Sequence, residues 1–246
     1  MDSEKIKFSL RKCGLKKSDT IVLHADAGVA AQIITSEKNK LNYLINLLLK
    51  YVGNRGNIIV PTFTYSACKN NSFEKNDQSE VGLFSETFRK LKKVKRTDHP
   101  IFSFAIFGKK FGYFNKADIN TCFGKNSIFG LFHKLNVKIV CLGCDIDRIT
   151  FTHYVEEFYK VYYRYNKIFN IYLKNKKKTI STNYYVRKSN IKNNIDLKRL
   201  NKYLVKKKRI KISNFGRYNL IVINSKDFFL SCVELLKKNK KSLIKN

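Results

Sequence analysis

The chain has 246 residues, of which 43% are hydrophobic and 13% aromatic, and carries 50 Lys+Arg against 18 Asp+Glu, a formal net charge of +32. This composition excludes disorder throughout and suffices for one large domain or two small ones. The charge calls for anionic partners: nucleic acid, an acidic membrane surface or phosphate-bearing small molecules. Most of the excess lies late, with 25 Lys+Arg against 3 Asp+Glu over residues 158–246 and 25 against 15 before them. The N-terminal MDSEKIKFSL lacks the apolar stretch of a secretory signal, and no apolar run approaches the ~20 residues of a bilayer span. A soluble, cytoplasmic protein is therefore expected, with the six cysteines as reduced thiols.

In chain order, SEKIKFSLRKCG places Ile6, Leu10 and Cys13 on one helical stripe, with Ser3 as N-cap and Gly14 as the stop. TIVLHA (20–25) is a short apolar strand, NKLNYLINLLLKYVG (39–53) a helix ending on glycine, and NIIVPTFT (57–64) a second strand closed by Pro61. SETFRKLKK (85–93) is helical in composition, and FGKNSIFGLFHKL (123–135) is a short helix between the apolar strands IFSFAIFG (101–108) and VKIVCLG (137–143). Strands separated by helices predict an α/β layered sheet. From Ile168 onward IFNIYLK, KTISTNYYVRK and KRIKISNFG predict a strand-rich appendage, closed by a helix at KDFFLSCVELLKK (226–238).

The sequence lacks GxGxxG, Walker A and GxSxG motifs. CLGC (141–144) has the CxxC form without a second pair, and core packing is preferred over a zinc or redox role. Of four histidines, His133 reads as a helix-surface residue, while His24 and His99 stand where strands pass into loops, the positions at which α/β sheets place ligand contacts. His153 is the strongest candidate. In DIDRITFTHYVEE (145–157) it is surrounded by Asp145, Asp147, Glu156 and Glu157, and if TFTHYVEEFYKVYYR is a helix, Glu156 and Glu157 are its i+3 and i+4 neighbours. A carboxylate on one ring nitrogen fixes the tautomer and makes the other nitrogen a general base. The competing reading is an ordinary acidic first turn, favourable for dipole reasons alone.

Taken in order, these segments resemble the aminoglycoside 3-N-acetyltransferase family of acetyl-CoA-dependent enzymes. The resemblance rests on IVLHADAG (21–28), NIIVPTFTYS (57–66), SEVGLFSETFRKLKKVKRTDHPIFSFAIFG (79–108), FGKNSIFGLFHKL (123–135) and LGCDIDRITFTHYVEE (142–157), within residues 4–160. It implies a layered mixed sheet with flanking helices, a single N-acetyltransferase domain over 1–246, and a divergent basic C-terminal part over 161–246. It further implies direct acetyl transfer to an amine with His153 as general base, partnered by Asp147 and Glu156, and no metal. The loop His24, Ala25, Asp26 and the segment Arg96, Thr97, His99, Ser103 correspond to CoA-contacting regions, with Arg96 suited to a phosphate or a pantetheine carbonyl. HADAGVAA departs from the family's serine-rich loop by losing hydroxyls and gaining an acid. The expected acceptor is an amino sugar, either aminoglycoside-type, as in antibiotic resistance, or nucleotide-linked; the net charge favours the anionic nucleotide-linked form. Monomer and homodimer are both open. The alternative is a basic nucleic-acid-binding protein using aromatic-rich segments such as YKVYYRYNK.

Overall fold

The computed structural model describes residues 1–189 and 194–245. The N-terminal half alternates helices and strands: α1 (Ser3–Lys12), β1 (Thr20–Ala25), α2 (Lys40–Val52), β2 (Asn57–Pro61), α3 (Ala67–Asn70), β3 (Ser72–Phe73), α4 (Leu83–Arg89) and β4 (Lys95–Arg96). There follow β5 (Phe104–Phe107), α5 (Phe111–Phe114), α6 (Ile128–Leu135), β6 (Lys138–Leu142) and α7 (Phe151–Tyr159). The chain ends with β7 (Arg164–Leu173), β8 (Lys178–Arg187), α8 (Lys198–Lys206), β9 (Ile210–Phe215), β10 (Tyr218–Asn224) and α9 (Ser225–Lys238).

Seven strands form one mixed sheet in the order β4-β5-β2-β1-β6-β10-β9, and β3, β7 and β8 form a second. The centre of the large sheet is parallel: β1 pairs β2 through Ile21↔Ile58 and β6 through Val22↔Ile139. Antiparallel strands extend it on both sides. The central strands are near-continuous apolar runs because both sheet faces are covered. Alternation splits their side chains between two cores. Ile21, Leu23, Ile58, Val60, Val140 and Leu142 pack with Ile6, Leu10, Leu44, Leu48 and Phe84 from α1, α2 and α4. Val22, Ile59, Ile139 and Cys141 pack with Phe129, Phe132, Val155 and Phe228 from α6, α7 and α9.

The layered mixed sheet is the expected one, with three differences of detail. Asp2, rather than Ser3, caps α1 by accepting the Lys5 N–H, since one residue earlier its carboxylate reaches the free first-turn donors. The helix carrying His153 stops at Tyr159, where Lys160 enters the left-handed region at φ 52°, and Arg164 opens a strand instead of ending the helix. The C-terminal strands do more than form an appendage: only β7 and β8 belong to the small sheet, while β9 and β10 complete the large one by pairing β10 against β6. The apolar run YNLIVIN supplies the buried Leu220, Val222 and Ile223 that this inner position requires.

Candidate functional site

A cleft of about 780 Å³ opens at the carboxyl ends of the three parallel strands, the position at which open α/β sheets bind ligands. Its wall is built from the residues that leave each strand: His24, Ala25, Asp26 and Ala27 after β1; Pro61, Phe63 and Tyr65 around the end of β2; Cys144 and Asp147–Thr150 after β6. Glu80 and Leu83 close one side, and Arg187 at the end of β8 reaches it from the small sheet. Gly143 makes the turn out of β6 with φ +73°, and a Cβ there would meet Val29 Cγ2 at 2.2 Å, so glycine is required where the two loops cross.

His153 lines this cleft from the first turn of α7. Its Nδ1 lies 2.7 Å from Glu156 Oε2, the i+3 contact expected of one helix face, and its ring meets Phe123 edge-on at 5.3 Å. The Glu156 side chain is 0% exposed and His153 20% exposed, so the carboxylate sits behind the ring and the ring faces the opening. Burial and the nearby Arg164 guanidinium hold His153 below the ordinary histidine range, leaving the imidazole neutral near pH 7. Burial opposes ionisation of Glu156, but its bond to His153 and the Arg164 charge outweigh it and hold the carboxyl below its usual range. The result is an ionised acceptor behind a neutral imidazole. With Nδ1–H donating to Glu156, the Nε2 lone pair is the one available to a ligand.

The other acids of the segment have different places. Asp147 lines the cleft, but its Oδ1 accepts the Leu197 N–H at 2.7 Å and so ties the loop to the start of α8. The Glu157 carboxyl, at i+4, is pushed up to about 7 by burial, and its Oε2 is buried without a hydrogen-bond partner. Among the carboxylates weighed from sequence, Glu156 is the one that meets the ring.

The first loop also reaches the cleft: His24 is pushed down to about 4 by burial, and Asp26 Oδ1 accepts the Gly28 N–H at 2.7 Å, starting a 3-10 turn over 27–32. The RTDHPIFS segment does not reach it. Arg96, Thr97, His99 and Ser103 are buried and absent from the cleft wall. Arg96 spends its donors internally: Nε on Ser103 Oγ at 2.9 Å, Nη1 on the carbonyls of Lys75 and Asp77, Nη2 on the Thr62 carbonyl and Thr64 Oγ1. His99 Nδ1 accepts the N–H groups of Ile101 and Phe102, and Thr97 Oγ1 accepts that of Phe104. These four side chains, expected at the CoA, are turned into the protein, and the five Arg96 donors are all shared among internal acceptors.

Sequence reasoning passed over four charged cleft or near-cleft residues. Arg148 and Glu80 lie inside quoted segments, but nothing local marks them as cleft-facing. Arg164 and Arg187 are cross-strand partners at the base of the β7–β8 hairpin, brought beside His153 only by the turn at Lys160. Cys141 is buried and Cys144 partly buried, both as free thiols, and among the described residues no group of three or more His, Cys, Asp or Glu is arranged to hold a metal.

Comparison with known proteins accounts for this arrangement. The profile of the aminoglycoside 3-N-acetyltransferase family matches residues 24–237, well into the C-terminal part where the sequence resemblance ended at 160. The fold matches the AAC(3)-IVa apoenzyme with a TM-score of 0.79 at 18% identity, covering 100% of this chain and 92% of that one. It matches AAC-IIIb in binary complex with CoASH at 0.81 and 14% identity, covering 97% of each, and sisomicin-bound AAC-VIa at 0.80 and 17%, covering 97% and 98%. Among curated proteins none matches. With a profile match over most of its length and the same fold from end to end, the chain belongs to the aminoglycoside 3-N-acetyltransferase family of acyltransferases.

Proposed function

We propose that this protein transfers the acetyl group of acetyl-CoA directly to an amine of an amino sugar, with His153 as general base. The observation that carries this reading is the His153 imidazole on the cleft wall with its Nδ1 held 2.7 Å from the buried Glu156 carboxyl. The amine nitrogen attacks the thioester carbonyl, His153 Nε2 takes the proton the nitrogen sheds, and the C–S bond breaks to release CoA thiolate, which recovers a proton from the imidazolium or from water. Glu156 stabilises that imidazolium, and no acyl-enzyme is required, so the cysteines take no part. AAC-IIIb binds CoA, which supports acetyl-CoA as the donor here.

The cleft wall bears on the acceptor. It carries Asp26, Glu80 and Asp147 against Arg148 and Arg187, in a chain whose net charge is +32. Acids outnumber bases here, against the trend of the whole molecule. Long-range charge alone favours a nucleotide-linked sugar, but the local field governs a bound ligand, and three carboxylates favour a sugar bearing protonated amines. AAC-VIa binds sisomicin and AAC(3)-IVa binds apramycin, in line with this class. Arg148 and Arg187 then take the anionic donor, replacing the buried Arg96 as phosphate anchors. Of the lysine-rich stretches, residues 174–177 lie at the tip of the β7–β8 hairpin, while 206–209 and 237–241 meet at the ends of α8 and α9, where Lys207 and Lys238 stand 5.7 and 5.8 Å from the Tyr203 ring.

The test is thiol release from acetyl-CoA with three acceptors: an aminoglycoside, a simple hexosamine, and a nucleoside-diphosphate amino sugar. We expect turnover with the first at least, and a fall in kcat of ~10²–10⁴-fold in His153→Ala. Absence of CoA binding, or a His153→Ala enzyme as fast as wild type, overturns the reading.

A further inference from the structure

We propose that Arg164, outside every segment that carries the family resemblance, is a positioning residue that fixes the tautomer of His153 by keeping Glu156 ionised. The proposal rests on the reading of His153 as the base and adds to it the reason the base stays in working form.

The geometry points to this role. Arg164 opens β7, and its side chain is 3% exposed. Nε stands 2.7 Å from Glu156 Oε2, Nη1 donates to the Tyr185 carbonyl at 3.0 Å, and Nη2 lies 2.9 Å from His153 Nδ1; a guanidinium N–H can only donate, so with the ring hydrogen given to the charged carboxylate at 2.7 Å this last contact is electrostatic and would become a hydrogen bond only in the Nε2–H tautomer. One planar guanidinium thus touches both members of the pair and is anchored to the neighbouring strand. The other groups around them are the Tyr163 hydroxyl against Glu156, Cys232 from α9 behind it, the Tyr185 ring, and the Arg187 cation at the cleft edge. Arg164 brings its positive charge into direct contact with this carboxylate.

The His153 Nδ1–H and the Tyr163 hydroxyl give the buried Glu156 carboxylate hydrogen bonds but no opposite charge, and a buried carboxylate held by neutral donors alone is open to protonation. A protonated Glu156 would become a donor. It would give its hydrogen to Nδ1, move the ring hydrogen to Nε2, and remove the lone pair that faces the cleft. Arg164 prevents that inversion by supplying the opposite charge at 2.7 Å. Its position against the ring also disfavours the imidazolium in the resting enzyme, so the base is free when the amine arrives. The charge that holds Glu156 ionised is therefore the same one that keeps His153 unprotonated.

The experiment is a double-mutant cycle read by kcat, KM and imidazole ¹⁵N chemical shifts. Arg164→Gln is expected to lower kcat about 10²-fold with KM for acetyl-CoA within about threefold, and to move the His153 hydrogen from Nδ1 to Nε2; Arg164→Lys, which keeps the charge, restores most of the rate. Because Arg164→Gln leaves a buried charge unpaired and can fail to fold, Glu156→Gln is compared with Glu156→Gln/Arg164→Gln, in which both charges are gone. If Arg164 acts through the Glu156 charge, the second change costs less than about threefold once the first is made. An unchanged tautomer in Arg164→Gln, or an equal loss from removing Arg164 in either background, overturns the proposal. The reading of His153 as base survives that result as long as His153→Ala is inactive.

Discussion

Two segments of this protein use the same side chains for opposite ends. Residues 96–103 bring together Arg96, Asp98 and His99; residues 153–164 bring together His153, Glu156 and Arg164. In the first, every hydrogen bond ends inside the protein. Arg96 holds three backbone carbonyls, Asp98 is salt-bridged to Lys75 and Lys176, and the His99 ring accepts two N–H groups of the next turn. In the second, the chain of contacts runs from the Tyr185 carbonyl through Arg164 and Glu156 to His153, and there it stops at the cleft. What a histidine can do therefore depends less on having a charged neighbour than on whether its second ring nitrogen opens onto a cleft, as at His153, or is buried, as at His99.

The largest expected effect separates the two histidines directly. His153→Ala should lower kcat by ~10²–10⁴-fold without loss of folded protein, whereas His99→Asn should leave kcat per folded molecule unchanged. Equal kinetic losses from both would end the distinction. Arg96→Ala should act on stability alone. It strands the carbonyls of Lys75 and Asp77, while that of Thr62 keeps the Ser103 hydroxyl at 2.8 Å, and charge-assisted bonds of this kind make a cost of about 4 kcal/mol reasonable, or a Tm lowered by on the order of 10 °C. A thermal melt beside an acetyl-CoA titration checks this; weakened CoA binding with an unchanged Tm would return Arg96 to the cleft.

The contrast also has a pH signature. Burial pushes His99 down to about 4, against about 6.5 in the unfolded chain. Between those values the unfolded state binds a proton that the native state does not, so His99 makes the protein less stable as pH falls from 6.5 toward 4. The slope is about 1.4 kcal/mol per pH unit within that window and vanishes above it. Urea midpoints at pH 4.5 and 6.5 should therefore differ less in His99→Asn than in wild type. An identical difference in the two proteins would mean that the ring is protonated in the native state.

The parts of this molecule legible in the sequence were those with a local signature. The apolar runs TIVLHA, NIIVP and KIVCL became the parallel centre because strands covered on both faces need no alternation. The i+3 spacing of His153 and Glu156 needed only a helix start. The order of five motifs pointed to the family, which the profile match over 24–237 bears out. What motif spacing could not reveal is direction. Arg96 sits in a strand end that leans into the protein, where its length and fork serve to cross-link loops, and a sequence motif looks the same whether its arginine turns in or out. The role of β10 was hidden for another reason: a strand that pairs antiparallel with β6 from 76 positions later in the chain is fixed by tertiary packing, and its own run YNLIVIN says only that it is apolar. Arg164 was misplaced because helical periodicity continues smoothly to Tyr159, and a left-handed Lys160 is not a residue type that announces a stop.

The smallest expected effect decides which carboxylate serves the base. Asp147 and Glu156 flank His153 in sequence, six residues before it and three after, and both stood as partners for its ring. Asp147 instead accepts the Leu197 N–H at 2.7 Å, a bond that Asp147→Asn preserves, since the amide oxygen can accept in the same place. That change removes one negative charge from the cleft but leaves the His153 tautomer alone. The expected outcome is a stability loss under about 1 kcal/mol, kcat within about threefold of wild type, and a modest rise in KM for a cationic acceptor. Glu156→Gln differs in kind, because a neutral amide behind the ring no longer stabilises the imidazolium. If Asp147→Asn lowered kcat as far as Glu156→Gln does, the ring would have to turn toward the loop during turnover, and the resting hydrogen bond to Glu156 would mark a stored rather than a working position.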